Sequence, residues 1–166
     1  VALIPATLLI NGICTIENLP NISDVKLYCE ILEELGAKIT WNTPNEVTID
    51  TRNLTTHEAP LEITRKFRAS YYLIGALLGR MKKVKVGHPG GCNLGQRPID
   101  QHIKGFEALG AKVNVTSGNI EASARKLKGT SIYMDVVSVG ATINIMLASV
   151  LAEGTTIIDS PAKEPH

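Results

Sequence analysis

The residues best suited to chemistry lie in one stretch, Gly87-His-Pro-Gly-Gly-Cys-Asn-Leu-Gly-Gln-Arg-Pro-Ile-Asp100. Glycine at 90, 91 and 95 admits backbone angles that other residues avoid and lets a ligand approach the main chain. Cys92 stands in the middle of the stretch and Arg97 near its end. A thiol is a nucleophile only as thiolate, a form favoured by nearby cations and helix N-termini. A helix N-terminus also attracts anions through its free N–H groups and its dipole. A phosphate held near Arg97 would therefore sit beside Cys92. On composition alone, a surface loop with an incidental cysteine explains the stretch about as well, because short glycine motifs often occur without function.

Two further places carry the same kind of chemistry. Arg68 begins Arg-Ala-Ser-Tyr just before a strongly apolar helical run. Ser138-Val-Gly-Ala-Thr142 opens another, with Ser138 able to cap it and Gly140 leaving room beside its first N–H groups. Taken singly, Arg68 with Arg65 and Lys66 reads as a solvated basic patch, and Ser138 as a helix cap. Cys14 and Cys29 fall within a strand-like and a helical run, where a buried, inert thiol is the expectation. His57, His88, His102 and His166 show no metal-ligand spacing, and His102 is expected on a helix surface. Neither a P-loop nor a dinucleotide fingerprint occurs.

The elements that must position these residues follow from an internal repeat. Leu35-Gly-Ala-Lys-Ile39 recurs as Leu109-Gly-Ala-Lys-Val113. Each copy follows an amphipathic helix and precedes two strand-like runs, Lys38 to Trp41 and Glu46 to Ile49 in the first, Lys112 to Val115 and Asn119 to Glu121 in the second. Upstream of each copy an apolar helix ends near a glycine, and a strand and a proline-containing loop follow. These are Val1 to Ile10, Gly12, Ile13 to Glu17 and Pro20, then Ser70 to Leu78, Gly79, Lys83 to Val86 and Pro89. A third unit opens with Ala141 to Leu151, Gly154, Thr155 to Asp159 and Pro161. Gly12, Gly79 and Gly154 suit helix C-caps, as do Gly36 and Gly110. Ser23-Asp24 suits an N-cap, and Pro98 the first turn of the helix running through Ile99, Ile103, Phe106 and Leu109. The chain thus reads as two helix–strand–helix–strand–strand units and the start of a third. Periodicity leaves open whether the helices or the sheets lie inside.

Composition bounds the rest. Apolar residues make up 44% of the chain, so a globular core is expected. A net charge of +1 gives no sign of a nucleic-acid or membrane preference. No apolar run has the length of a membrane span. Three cysteines without metal spacing suit a reducing, cytosolic setting. The sequence opens without Met inside an apolar helical pattern and closes just after a strand-like run, as expected of a fragment of a longer protein.

The motifs together resemble the UDP-N-acetylglucosamine enolpyruvyl (1-carboxyvinyl) transferases. The resemblance rests on Arg68-Ala-Ser, on the block from Pro89 to Ala111, on Ser138-Val-Gly-Ala-Thr, and on Ala152-Glu-Gly-Thr-Thr with Ala162-Lys-Glu-Pro, and it covers essentially the whole chain. It implies an α/β fold, an inside-out α/β barrel of repeated units with helices within and sheets outside. The chain, residues 1–166, would be a single partial domain of about two such units plus the start of a third, and a second domain would complete the enzyme. The implied reaction moves the enolpyruvyl group of phosphoenolpyruvate to the 3-hydroxyl of UDP-N-acetylglucosamine and releases phosphate. It passes through a tetrahedral intermediate with no redox cofactor or essential metal.

Residue by residue, the resemblance makes Cys92 the general acid toward the methylene carbon of phosphoenolpyruvate, a covalent adduct site and the site of alkylation by fosfomycin. Arg97 becomes a phosphate contact and Arg68 an arginine of the substrate cleft. Pro98, Ile99, Asp100 and Gln101, with Ser138, Val139 and Gly140, become contacts to the nucleotide sugar. The implied partners are these small molecules and the second domain, with neither nucleic acid nor membrane, in a bacterial cytoplasm. Two departures stand out. The family's Lys-Asn pair would precede Val1, and its deprotonating aspartate and another phosphate-binding arginine belong to the second domain. Some members also carry Lys where this chain has Val136. The shikimate-pathway enolpyruvyl transferases share the fold but lack the Pro-Gly-Gly-Cys loop. RNA 3′-phosphate cyclases are disfavoured by the neutral charge. A catalytically dead nucleotide-sugar-binding homologue is disfavoured by the joint presence of Cys92, Arg97 and Arg68.

Overall fold

The computed structural model describes residues 1–88 and 99–164. Cys92, Arg97 and Pro98 lie outside the described residues, as does His166. In the first unit, α1 (Leu3–Ala6) runs on into a 3-10 turn (Thr7–Leu9), followed by β1 (Ile13–Ile16), α2 (Ser23–Glu34), β2 (Lys38–Thr43) and β3 (Glu46–Asp50). After a short helix, α3 (Leu61–Thr64), the second unit repeats the order. A 3-10 turn (Arg68–Tyr71) leads directly into α4 (Tyr72–Met81), then come β4 (Lys83–Gly87), α5 (Asp100–Ala108), β5 (Lys112–Val115) and β6 (Asn119–Ser123). The third unit comprises β7 (Ser131–Tyr133), α6 (Val139–Ser149) and β8 (Ile157–Asp159).

The repeat in sequence is a repeat in topology. The first sheet has the antiparallel order β1-β3-β2 and the second β4-β6-β5, so in both the last strand of the unit lies in the middle. Their strands alternate as half-buried strands must. Val47 and Ile49 of β3, Val84 and Val86 of β4, and Ile120 and Ala122 of β6 point into the core. The helices occupy the interior. Every residue from Leu73 to Gly79 of α4 is buried, and α4 packs along α6 and against the 3-10 turn that ends α1. A helix apolar all round is a core helix. Helices are therefore inside and sheets outside, the choice that periodicity left open.

The sheet register also reveals a strand that the sequence pattern missed. β7 pairs with β8 in parallel, Ser131 opposite Ile157 and Tyr133 opposite Asp159, with α6 as the crossover. The second unit carries a reduced version, a parallel bridge of Glu58 to Lys85. In it the Lys85 N–H donates to the His57 carbonyl at 3.0 Å and the Ala59 N–H to the Lys85 carbonyl at 2.9 Å. The third unit thus has a strand ahead of its first helix, and the second only a single bridge in that place. At three residues β7 is too short to show alternation.

Several glycines act differently from expectation. Gly36 and Gly110 do stop their helices, with φ of +100° and +95°. Gly79 does not. Helix α4 runs through it to Met81, and Lys82 takes the left-handed cap at φ +59°. Gly12 has no positive φ, and Gly154 turns at φ +84° well past the last residue of α6. Gly75 and Gly79 instead permit a close helix crossing. A Cβ on Gly79 would lie 2.9 Å from the Leu147 carbonyl oxygen, and one on Gly75 would fall inside the Asn144 main chain. The Gly75 N–H donates to Asn144 Oδ1 at 3.0 Å, and Asn144 Nδ2 to the Gly140 carbonyl at 3.2 Å.

One cap differs. Helix α2 begins at Ser23 itself, with Ile22 extended at the cap position and no side-chain cap, because Ser23 Oγ turns to Asp24 Oδ1 at 3.4 Å. Helix α6 starts at Val139 with Ser138 in the cap position, as its sequence suggested. Cys29 is buried as expected, but Cys14 on β1 is only half-buried.

Candidate functional site

A cleft of about 710 Å³ opens where three segments of the chain converge. The 3-10 turn before α4 supplies Arg68 and Tyr71, the first turn of α5 supplies Asp100, Gln101 and His102, and the segment from Val136 to Gly140 leads into α6. Each segment is fixed by local chemistry. The Arg68–Tyr71 turn is tied down by Ser70, fully buried, whose hydroxyl reaches the Thr64 and Phe67 carbonyls at 2.8 Å each. The Tyr28 hydroxyl donates to the Ala69 carbonyl, and its ring meets Phe67 edge-on at 4.9 Å. Arg68 lies 5.9 Å from the centroid of Tyr71, a cation–π distance.

The N-terminus of α6 is a true cap. Ser138 Oγ accepts the Ala141 N–H at 3.3 Å, and Thr142 Oγ donates back to the Ser138 carbonyl at 2.8 Å. Gln101 joins α5 to this segment. Its Oε1 accepts the Asp135 N–H at 3.0 Å, and its Nε2 donates to Asp135 Oδ2 at 3.3 Å. Lys104 closes the link at 2.6 Å from Asp135 Oδ2. Hydrogen bonds from Lys104 and then Gln101 hold the Asp135 carboxyl below its ordinary range. Two helix N-termini therefore open into one cleft beside a guanidinium. Such an arrangement can attract an anion through N–H groups, dipoles and charge.

Of the residues anticipated from sequence, Arg68, Asp100, Gln101, Ser138, Val139 and Gly140 line this cleft together, and Val136 joins them. Ile99 does not line it. It takes the cap position of α5, half-buried against the core. Cys92, Arg97 and Pro98 fall in the undescribed segment that enters α5. Asp24, Tyr71, Tyr72 and His102 line the cleft without having been singled out.

The reading of His102 as a surface residue is overturned. Only 6% of it is exposed. A signal for this was present: Ile99, His102, Phe106 and Leu109 follow helical spacing as well as the apolar stripe does. Burial, and then Arg68, push the imidazole pKa down to about 4, against a smaller opposing effect of Asp100. Among the described residues, no group of three or more His, Cys, Asp or Glu side chains is placed to hold a metal, and no helix is long and apolar enough to cross a membrane.

Comparison with known proteins agrees with this architecture. A family model described as EPSP synthase (3-phosphoshikimate 1-carboxyvinyltransferase) matches residues 1–166. The UDP-N-acetylglucosamine 1-carboxyvinyltransferase of Clostridium botulinum is 58% identical over all of this chain, which covers 40% of that protein. The UDP-N-acetylglucosamine 1-carboxyvinyltransferase 2 of Bacillus subtilis is 56% identical, with 38% of its length covered. The chain thus spans about 40% of the length of these relatives. In fold it resembles the enolpyruvyl transferase NikO from Streptomyces tendae, with a TM-score of 0.83 at 21% identity, covering 99% of this chain and 39% of that one. EPSP synthase from Acinetobacter baumannii follows with a TM-score of 0.72 at 19% identity and the same coverage. At such identities these structures speak for the fold alone. With the family model matched from the first residue to the last, the chain belongs to the EPSP synthase family of enolpyruvyl transferases.

Proposed function

We propose that this chain is part of an enzyme that transfers the enolpyruvyl group of phosphoenolpyruvate to the 3-hydroxyl of UDP-N-acetylglucosamine. The reaction releases phosphate and commits the sugar nucleotide to peptidoglycan synthesis in a bacterial cytoplasm. The observation that supports this reading best is the convergence of Arg68 and the N-termini of α5 and α6 on one cleft, in a chain 56–58% identical to proteins named for that reaction.

The sugar 3-hydroxyl gives up its proton to a base from the second domain and its oxygen bonds to C2 of phosphoenolpyruvate, while Cys92 delivers a proton to the methylene carbon and is left as thiolate. Phosphate then leaves C2 as a proton is withdrawn from the new methyl group, which restores the double bond as an enol ether. An acid held against carbon gains from proximity what it lacks in thermodynamic drive. Arg97 and Arg68 stabilise the departing phosphate. Asp100, Gln101, Ser138, Val139 and Gly140, with Pro98, hold the nucleotide sugar, its diphosphate facing the helix N-termini. A second domain of the same polypeptide supplies the opposite wall and the base.

The test is mass spectrometry of the full-length protein incubated with phosphoenolpyruvate and UDP-N-acetylglucosamine, or with fosfomycin. The expected adduct is on Cys92. Modification confined to Cys14 or Cys29 would overturn the assignment. The isolated chain is expected to be inactive, because the reaction needs both walls. Turnover by these 166 residues above that of a Cys92→Ala control would contradict this.

A further inference from the structure

The segment from Val136 to Ser138 forms one wall of the cleft with little support of its own. Val136 and Val137 are 62% and 65% exposed and, among the described residues, make no main-chain hydrogen bond. The segment is held at its two ends. At one, Ser138 caps α6. At the other, the Met134 N–H continues the pairing of β7 with β8 by donating to the Asp159 carbonyl at 3.0 Å, and Asp135 comes next. Its N–H leaves the sheet and donates to Gln101 Oε1 at 3.0 Å.

Gln101 spends its whole side chain on this anchor. It is 8% exposed. A side-chain amide has one oxygen acceptor and two N–H donors. The oxygen takes the Asp135 N–H, and Nε2 is directed at Asp135 Oδ2 at 3.3 Å and at Asp100 Oδ2 at 3.4 Å. No donor is left over for a ligand. Lys104, three residues on and so on the same face of α5, also reaches Asp135 Oδ2. Both members of that ion pair are exposed, and exposed pairs contribute little. The hold on Asp135 therefore rests on Gln101.

We propose that Gln101 is a positioning residue of the cleft, whose side-chain amide acts through Asp135 and fixes the near end of the Val136–Ser138 segment, so that this wall is in place before a sugar nucleotide binds. A wall fixed in advance spares the ligand the entropy of ordering it. That the ligand is UDP-N-acetylglucosamine rests on the functional reading above. The clamp itself does not.

The test has two arms on the full-length protein. In the first, hydrogen exchange is read residue by residue by mass spectrometry with no ligand added. In wild type the Asp135 amide should exchange at least about tenfold more slowly than those of Val136 and Val137. Gln101→Met keeps the length and helix propensity of the side chain without its amide, and should erase that difference. An Asp135 amide as fast as its neighbours in wild type overturns the proposal. So does one still protected in Gln101→Met, since any effect on binding would then be a direct contact. In the second arm, steady-state kinetics should show Gln101→Met raising the KM for UDP-N-acetylglucosamine about tenfold, with kcat and the KM for phosphoenolpyruvate within about twofold of wild type. Lys104→Met removes only the exposed ion pair and should stay within about twofold throughout. An unchanged KM, a fall in kcat alone, or an equal loss in Lys104→Met overturns the proposal. If Gln101→Met fails to fold, the wild-type exchange pattern decides. A wild-type protein that does not turn over the two substrates refutes the functional reading instead, and Gln101 is then judged by the exchange arm alone.

Discussion

Replacing Gly75 with alanine should destabilise this protein, although helix propensity predicts the opposite. Glycine inside a helix is worse than alanine by about 0.5–1 kcal/mol, so an exposed glycine at that place would gain stability on substitution. Gly75 lies in the middle of buried α4, where it crosses α6. An added Cβ would overlap the Asn144 main chain, standing 3.1 Å from its carbonyl carbon and 3.0 Å from Oδ1, and closer still to its carbonyl oxygen. Most of the obstacle is backbone, which cannot rotate aside, so the helices must separate. Overpacking of this kind costs about 1–3 kcal/mol. Separation also lengthens the buried bond from the Gly75 N–H to Asn144 Oδ1, whose loss costs about 1–3 kcal/mol more.

Less the propensity gain, the expected net loss is about 1–5 kcal/mol. Equilibrium urea unfolding followed by the fluorescence of Trp41, the single tryptophan of this chain, measures it. With a slope of about 2 kcal/mol per molar, the midpoint should fall by about 0.5–2.5 M. Gly79→Ala should cost less, since its nearest obstacle is at 2.9 Å. Gly12→Ala, whose Cβ would meet only Ile10 Cγ2 at 3.5 Å, serves as the neutral control. A Gly75→Ala midpoint at or above wild type would refute the close-crossing argument.

Other expectations can be tested beside this one. His102 titrates near 4 when folded and near its ordinary 6.5 when unfolded. Above about pH 6.5 both states are neutral and stability is full. As pH falls the unfolded chain takes up the proton first, so up to about 3 kcal/mol is lost by pH 4, with no further loss from this group below that. Urea midpoints measured from pH 7.5 to 4 should show a fall that His102→Gln removes, and parallel curves for the two proteins would refute it. Gly36→Ala and Gly110→Ala each force a side chain into the left-handed region, at about 1–2 kcal/mol. Thermal melts should show Gly36→Ala to be the worse, because its Cβ would also meet the Asn53 carbonyl oxygen at 2.7 Å, whereas at Gly110 the nearest atom is 3.5 Å away. Burial, helped by Glu33 and Glu30, raises the Cys29 thiol to about 11, so iodoacetamide at pH 7.5 should leave it unmodified until the protein is unfolded. Peptide mapping of a native protein alkylated at Cys29 would contradict this.

Much of the architecture was legible from the chain alone, because local patterns dictate local structure. Leu-Gly-Ala-Lys recurs where a helix must stop and a strand begin, and Gly36 and Gly110 do take the left-handed angle that this turn requires. Two-residue alternation marked β3 and β6, and three- to four-residue spacing marked α2 and α5. Arg68 and Ser138 to Gly140 could be singled out because residue type at a helix start is local information, and the structure lines one cleft with them, Asp100 and Gln101.

What the tertiary structure decided is what these pieces do to one another. Gly79 looks like a helix stop until α6 is laid across it, because a glycine needed for close approach and one needed for a left-handed angle are the same letter. β7 exists as a strand through its pairing with β8, reached across a whole helix, and three residues carry no period of their own. His102 reads as polar and hence as surface, yet the meeting of α5 with α6 and the Arg68–Tyr71 turn buries it. Helix and strand patterns are set by neighbours along the chain. Burial, close approach and the assembly of the cleft are set by neighbours in space, which this chain brings together only when it folds.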